Sequence, residues 1–142
     1  MRSQWRSATA RLSLACVLMA VAVQVPAQEH DGGPTVEDHG VGSAIVDRNL
    51  EGRKDTFVEG ERAVFWTAVV GGSAGDRIAH VWLRNGEEML TVGLTIGGPH
   101  WRTWSNKTLH PGSAGSWAVE ARDPEGRVLA RDEFTCVAAS TE

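Results

Sequence analysis

The chain has 142 residues and carries 14 Lys and Arg against 18 Asp and Glu, which gives a formal net charge of −4 with neutral histidines. This length fits one domain of about 100 to 150 residues. An acidic chain lacks the clustered cations that nucleic acids and anionic membranes require of a partner, so we expect neither partner.

Residues 1–27 have the pattern of a signal peptide. Arg2, Arg6 and Arg11 form a positive segment, an apolar run of 14 residues follows from Leu12 to Val25, and Ala27 supplies a small residue for cleavage. A membrane-spanning helix needs about 20 apolar residues, so we expect no membrane insertion after cleavage. The pattern predicts export to the periplasm or to the extracellular medium.

Cleavage after Ala27 leaves 115 residues, with 11 Lys and Arg against 18 Asp and Glu. Cys136 is then the single cysteine, which excludes an internal disulfide, and its apolar surroundings predict a buried, unreactive thiol. Attachment through a lipid on Cys16 is disfavoured, because most of the apolar run follows that residue.

Residues 28–42 are rich in Gly, Asp, Glu and His and hold hardly any large apolar side chain, which predicts a disordered lead-in. His30-Asp31 and Asp38-His39 have no folded frame around them, and none of the histidines pairs at a ligand spacing. We therefore expect no metal and no cofactor.

Residues 43–139 alternate as strand and turn, and no amphipathic helix is evident. The run Val64 to Val70 has period two and ends at Gly71-Gly72. Further strands are expected at Ala44–Arg48, Thr56–Glu59, Ile78–Arg84, Glu87–Ile96, Ser116–Arg122 and Arg127–Val137. Six or seven short strands predict an all-β fold, a small antiparallel β-sandwich of immunoglobulin-like type.

Asn85-Gly86 predicts a tight hairpin turn, because both central positions of a type I′ turn need positive φ. A regular ladder from this turn pairs Trp82 with Met89 and His80 with Thr91. One side then carries the apolar residues Ala79, Val81, Leu90, Val92, Leu94 and Ile96. His80 and Trp82 are therefore expected on the side opposite the core, where the segment 97–111 or a ligand would cover them.

A second hairpin is expected around Asp123-Pro124-Glu125-Gly126, since Pro presets φ and Gly accepts positive φ. Trp117 alternates with Val119 and is expected in the core. Asp132 interrupts the return strand, where a bulge would restore alternation; the register of this hairpin stays open.

The motifs His80-Val81-Trp82, Asn85-Gly86, Trp101-Arg102-Thr103-Trp104-Ser105-Asn106-Lys107, Gly115-Ser116-Trp117-Ala118-Val119-Glu120, Gly126-Arg127-Val128-Leu129 and Phe134 occur in this order. The sequence from about Asp47 to Val137 thereby resembles the bacterial family catalogued as domain of unknown function 2914. The resemblance implies a small exported or membrane-attached domain. It implies no catalytic residue, because that family has no established chemistry.

The residues themselves give no strong catalytic pattern. Gly71-Gly72-Ser73-Ala74-Gly75 fits the nucleophile elbow of serine hydrolases formally, but that motif requires a strand followed by a helix, and here it joins two strands. We therefore expect a flexible hairpin loop at this position and a protein that is not an enzyme.

Indole, guanidinium and imidazole groups cluster in the middle of the chain. The candidate ligand-binding residues are His80, Trp82, Arg84, Trp101, Arg102, Trp104 and Lys107. Exposed indoles stack on sugar faces and basic groups hydrogen-bond to hydroxyls, so this set favours a non-catalytic module for a glycan or an envelope protein. The alternative is that the tryptophans form only a small core, in a structural or assembly partner of an envelope complex. The oligomeric state stays open.

Overall fold

The computed structural model describes residues 32–141, which form ten β-strands and no helix. The strands are β1 (Thr35–Gly42), β2 (Ala44–Val46), β3 (Asn49–Glu51), β4 (Thr56–Val58), β5 (Arg62–Val70), β6 (Arg77–Arg84), β7 (Glu87–Thr95), β8 (His100–Thr108), β9 (Gly115–Arg122) and β10 (Val128–Val137). The predicted all-β fold is confirmed. The predicted signal peptide lies outside the described residues, and within 32–141 no helix is long and apolar enough to cross a membrane.

Two sheets pack against each other as a sandwich, as predicted. The smaller sheet has the order β1-β5-β8, the larger has the order β4-β10-β9-β6-β7, and β2 and β3 form a separate hairpin. One pairing departs from the expected antiparallel arrangement, because β4 runs parallel to β10. The strand count exceeds the expected six or seven because β1, β3 and β8 are additional to the predicted strands, and β1 and β3 carry little alternating apolar pattern. The immunoglobulin-like relationship stays a prediction.

Aromatic rings fill the space between the two sheets. The Phe134 ring stacks on the Trp117 ring, with 5.9 Å between centroids and 11° between planes. Trp82 and Phe57 meet the same ring edge-on, at 6.1 and 5.2 Å. Trp117 is 2% exposed, which confirms its predicted place in the core. Ring burial of this kind supplies a large share of the hydrophobic stabilisation of a small domain.

Strand β1 corrects the prediction of a disordered lead-in over residues 35–42. It pairs antiparallel with β5, with Gly40 opposite Trp66 and Val41 opposite Phe65. Its glycines face the hairpin of β2 and β3: a Cβ on Gly42 would lie 2.6 Å from the Glu51 carbonyl oxygen. The polar composition hid this strand, because backbone pairing and close packing on glycine hold it in place. Residues 28–31 lie outside the described part of the chain.

The β6–β7 hairpin confirms the predicted turn and corrects the predicted faces. Asn85 and Gly86 have φ of 50° and 82°, and Arg84 pairs with Glu87 as expected. A bulge then adds one residue to β7, so that Trp82 lies opposite Leu90 instead of Met89. His80 and Trp82 therefore point into the core, and both are 0% exposed. Because side chains alternate along a strand, one extra residue in β7 changes which residues of β6 and β7 share a face of the sheet beyond the bulge.

Strand β10 is continuous, and its irregularity falls between Val128 and Ala130. Asp132 therefore lies on the inward side, two strand periods from Cys136, and its carboxylate lies 2.6 Å from His39 Nδ1 on β1. Cys136 is 2% exposed, as predicted, and burial raises the pKa of its thiol.

Candidate functional site

The sandwich separates the seven predicted site residues into three places. His80 and Trp82 lie in the core, whereas Trp101, Arg102 and Trp104 follow one another along β8, an edge strand of the smaller sheet. The segment 97–111, expected to cover Trp82 as a short strand or as a loop, forms β8 beside β5, and Ser105 of this strand contacts both His80 and Trp82. Arg84 and Lys107, the remaining two, lie near Trp117.

A chain of buried hydrogen bonds takes up His80 and Trp82. Trp82 donates its indole N–H to Ser105 Oγ over 3.1 Å, and an indole can only donate. The Ser105 hydroxyl then donates to His80 Nδ1 over 2.8 Å. His80 Nε2 donates to Thr67 Oγ1 over 3.2 Å, and this hydroxyl donates to the Thr103 carbonyl over 3.3 Å. The donor order assigns a neutral imidazole with its proton on Nε2.

Within residues 32–141, the groups that hydrogen-bond to the His80 ring carry no charge that would stabilise a second proton. Its hydrogen-bond partners are hydroxyl groups, and the Phe65 ring lies 4.6 Å from it, centroid to centroid. Burial lowers the pKa of His80 to about 3. His80 and Trp82 thus connect β6 to β5 and β8 and are closed to a ligand at the surface. Sequence reasoning missed Thr67 and Ser105, which share the inward side of their strands with core residues.

Arg84 and Lys107 hold the end of the sandwich. The Arg84 guanidinium donates twice to the Ala114 carbonyl, over 2.6 and 3.2 Å. Lys107 Nζ lies 5.7 Å from the centre of the Trp117 ring. Arg84 therefore stabilises the loop before β9, Lys107 contacts Trp117 on β9, and neither cation joins the β8 tryptophans.

Arg102 and Trp104 lie on the outer side of the smaller sheet. They pair across the strands with Ala68 and Trp66, which alternate with the inward residues of β5. Trp66 is 5% exposed because the β2–β3 hairpin covers it, and its indole N–H donates to the Arg48 carbonyl over 2.8 Å. Trp104 stays partly exposed beside this covered indole.

A cleft of about 440 Å³ opens where the β2–β3 hairpin meets β8. Its lining residues are Glu37, Arg48, Ala68, Val69, His100, Trp101 and Arg102. The Arg48 guanidinium carbon lies 5.1 Å from the centre of the Trp101 ring, and Arg48 Nη2 donates to the Arg102 carbonyl over 3.3 Å. Arg102 Nη1 donates to Asn49 Oδ1 over 3.0 Å. Sequence reasoning found Trp101 and Arg102 and missed their partners on the hairpin.

The backbone at Arg48 is unusual. Asp47 and Arg48 have φ of 50° and 64°, so both turn residues of the hairpin are left-handed although neither is glycine. This conformation costs a residue with a Cβ about 1 kcal/mol. The two positive φ values of a type I′ turn normally select Asn-Gly, which the sequence has at 85–86 and lacks here.

The two cleft arginines differ from the arginines of the larger sheet in their charge pairing. Within residues 32–141, Arg48 and Arg102 form no ion pair within 4.0 Å, although Glu37 lines the same cleft. On the larger sheet, Arg122 and Arg131 both pair with Glu120. Burial acts to raise the pKa of Glu120, but the hydrogen bonds from these arginines outweigh it and lower that pKa.

The described residues also include a formal serine-nucleophile motif and scattered residue types that can bind metals. Ser73 is exposed in the loop that joins β5 to β6, which belong to different sheets, so the formal elbow motif is followed by a strand and not by a helix. No group of three or more His, Cys, Asp or Glu residues in the described range is arranged to hold a metal ion.

Residues 75–136 match the family model described as "Protein of unknown function (DUF2914)". This segment of the chain belongs to the DUF2914 family. No curated protein matches the chain. The DUF2914 segment begins later than the expected Asp47 and contains β6 to β9 and most of β10. Trp101 and Arg102 therefore lie inside the DUF2914 segment, whereas Arg48 and the β2–β3 hairpin lie outside it.

Proposed function

We propose that the protein is an exported, non-catalytic β-sandwich module that binds a cell-envelope or extracellular carbohydrate or protein through the β8 edge, where Arg102 and Trp104 on the outer side and the partly buried Trp101 lie near Arg48. The observation that carries this proposal is the placement of the Arg48 guanidinium over the Trp101 ring at a left-handed turn. Partly exposed indoles beside guanidinium groups recur where proteins bind sugars or protein hot spots. His80, Trp82, Arg84 and Lys107, also expected to contact the ligand, are assigned to the framework.

The binding role is tested on an array of envelope and extracellular polysaccharides. We expect the wild-type protein to bind at least one glycan class on the array. Arg102→Ala should weaken that binding about tenfold or more, as for a central arginine of an interface. Arg62→Ala is the matched control, because Arg62 is an exposed arginine on the same sheet, outside the cleft. Iodide should quench part of the tryptophan emission, and Trp101→Phe should remove much of the quenched fraction.

A second candidate function is that of a structural or assembly partner of an envelope complex. It is supported by β7, an edge strand of the larger sheet on which Met89 and Leu90 are 46% and 37% exposed. An exposed edge strand can pair with a strand of another chain. Indifference to every polysaccharide on the array, with emission that iodide does not quench, would favour this second function over the first.

Export is part of the proposal, supported by the positive and apolar segments of residues 1–27. The measurement is the N-terminus of the protein recovered outside the cytoplasm of an expressing bacterium. A mature chain that begins at Gln28 supports export with cleavage. Protein that stays in the cytoplasm with Met1 to Ala27 intact contradicts it.

A further inference from the structure

We infer that the cleft between the β2–β3 hairpin and β8 recognises a carboxylate-bearing sugar, and this inference rests on the proposed binding function. The cleft brings Arg48, His100, Trp101 and Arg102 together. These side chains offer two guanidinium groups, an imidazole and an indole. Such a set has donors for a carboxylate and for hydroxyls, and an apolar surface for the C–H face of a sugar ring.

The backbone at residue 48 is the first argument. Glycine is the default residue where φ is positive, and the Arg48 carbonyl that accepts the Trp66 indole N–H would be present with any side chain. The arginine side chain therefore contributes nothing to this hydrogen bond. Its guanidinium lies over Trp101, inside the cleft. Sparsely populated backbone conformations are held in place by the surrounding structure and are concentrated at binding and active sites.

Charge is the second argument. In the part of the chain that the structure describes, the side-chain partner of Arg102 is the neutral Asn49 amide, and Arg48 donates to a backbone carbonyl. Guanidinium groups form their strongest and most directional contacts with carboxylates, through two parallel N–H···O bonds. Two guanidinium groups with neutral partners in one cleft are matched by an anionic ligand. A neutral sugar would offer these exposed cations only hydroxyl acceptors, which form weaker contacts with a guanidinium than a carboxylate does.

Glu37 refines the inference. It lines the same cleft without forming an ion pair to either arginine. A carboxylate in the cleft lining repels an anionic ligand and has no such effect on a neutral one. Replacement of Glu37 by glutamine should therefore strengthen binding of the acidic sugar and leave binding of its neutral derivative unchanged.

The experiment compares one oligosaccharide in two charge states. The probes are a galacturonic acid trisaccharide and its methyl ester, which differ in charge while the sugar rings stay the same, and binding is measured by calorimetry at low salt. We expect the acid to bind about 10- to 100-fold more tightly than the ester, as for hydrogen bonds to charged groups. Mannose 6-phosphate forms a third arm that separates carboxylate recognition from recognition of any anion.

Two variants connect the preference to the cleft. Arg102→Gln and Arg48→Gly should each reduce the affinity for the acid to that of the ester, while Arg62→Gln should not. Arg48→Gly should leave the melting temperature close to the wild-type value, because relief of the left-handed turn offsets the lost contacts of the guanidinium with Trp101 and the Arg102 carbonyl. Loss of binding in a variant that is as stable as the wild type cannot be explained by misfolding.

The outcomes separate the inference from the proposed function. Equal binding of acid and ester, both weakened by Trp101→Ala, would overturn the carboxylate preference and retain the sugar-binding function. Tighter binding of mannose 6-phosphate than of the acid would replace the carboxylate by a phosphate. Absence of binding by all three probes overturns the inference, and a negative polysaccharide array in addition overturns the proposed function.

Discussion

His80 links the stability of this protein to pH more directly than any surface group does. Burial lowers the pKa of His80 to about 3, whereas an imidazole in the unfolded chain titrates near its ordinary value of 6.5. Above pH 6.5 the ring is neutral in both states. Between pH 6.5 and 3 only the unfolded chain takes up the proton, so acid favours unfolding by about 1.4 kcal/mol for each pH unit.

We predict that the free energy of unfolding falls between pH 7.5 and pH 5 by about 2 kcal/mol more in the wild type than in His80→Gln. The measurement is urea denaturation at the two pH values. Carboxylates with lowered pKa, such as Glu61 and Asp123, lose stability only at lower pH and do not interfere. His100→Gln is the control, because His100 is exposed.

A direct readout covers the case in which His80→Gln does not fold. The ring nitrogen chemical shifts of His80 should show a neutral ring protonated at Nε2, unchanged down to pH 5. Titration of this imidazole near pH 6.5 in the folded protein would contradict the assignment.

His80 also shows why the sequence did not predict which side of β6 faces the core. Both sides of β6 are apolar, with Ile78 and Trp82 on one side and Val81 and Leu83 on the other, all 8% exposed or less. Periodicity therefore cannot tell which side faces the main core. Trp117 was predicted correctly because its strand has Glu120 and Arg122 on the opposite side.

Among the elements, the β2–β3 hairpin has a role that its short strands conceal. It covers Trp66, carries Arg48 and Asn49 to the cleft, and rests on β1 at two glycines. The turn at 85–86 was predictable because Asn-Gly has one preferred geometry. The bulge on β7 was not, since no side chain near Met89 distinguishes a bulged strand from a regular one.

We predict that Gly42→Ala destabilises the protein by about 1 to 3 kcal/mol, as for an overpacked site. A Cβ at this position would lie 2.6 Å from the Glu51 carbonyl and 2.9 Å from Leu50, so the hairpin must move. The displaced hairpin should also weaken ligand binding at the cleft. Melting temperature and calorimetry give the two readouts.

Gly98→Ala is the matched control, because a Cβ at Gly98 would meet nothing within 4 Å. It should leave the melting temperature nearly unchanged. Equal stability of the Gly42 and Gly98 variants would show that the hairpin does not rest on β1 as described.

For the molecule as a whole, alternation and turn residues were sufficient to predict an all-β sandwich, but not which strands share a sheet. The loop at Gly71–Gly75 has the composition of a hairpin loop and yet joins β5 in one sheet to β6 in the other. Composition at a turn reports its backbone conformation and contains no information on whether the chain reverses within a sheet or crosses to another. The predicted surface patch was divided because His80 and Trp82 face the core and because β8 lies in a different sheet from β6.

The outer side of the larger sheet explains why buried apolar residues occur on both sides of β6. A ladder of alternating charges crosses it, formed by Glu88, Arg122, Glu120, Arg131 and Glu133. Val81 is only 3% exposed on this side, directly across from Glu120. Long charged side chains cover apolar surface with their stems while their ends stay in water. A residue can therefore be buried in this protein without belonging to the space between the sheets.

Arg48 and the hairpin at residues 44–51 lie outside the DUF2914 segment, so the hairpin can be varied in experiments while the matched residues stay unchanged. A transplanted sequence would need a backbone carbonyl at position 48 for the Trp66 indole and an apolar side chain at position 50 against the β1 glycines. Under the proposed function, changes to the side chains of Arg48 and Asn49 would alter the ligand preference, because these residues contact Trp101 and Arg102.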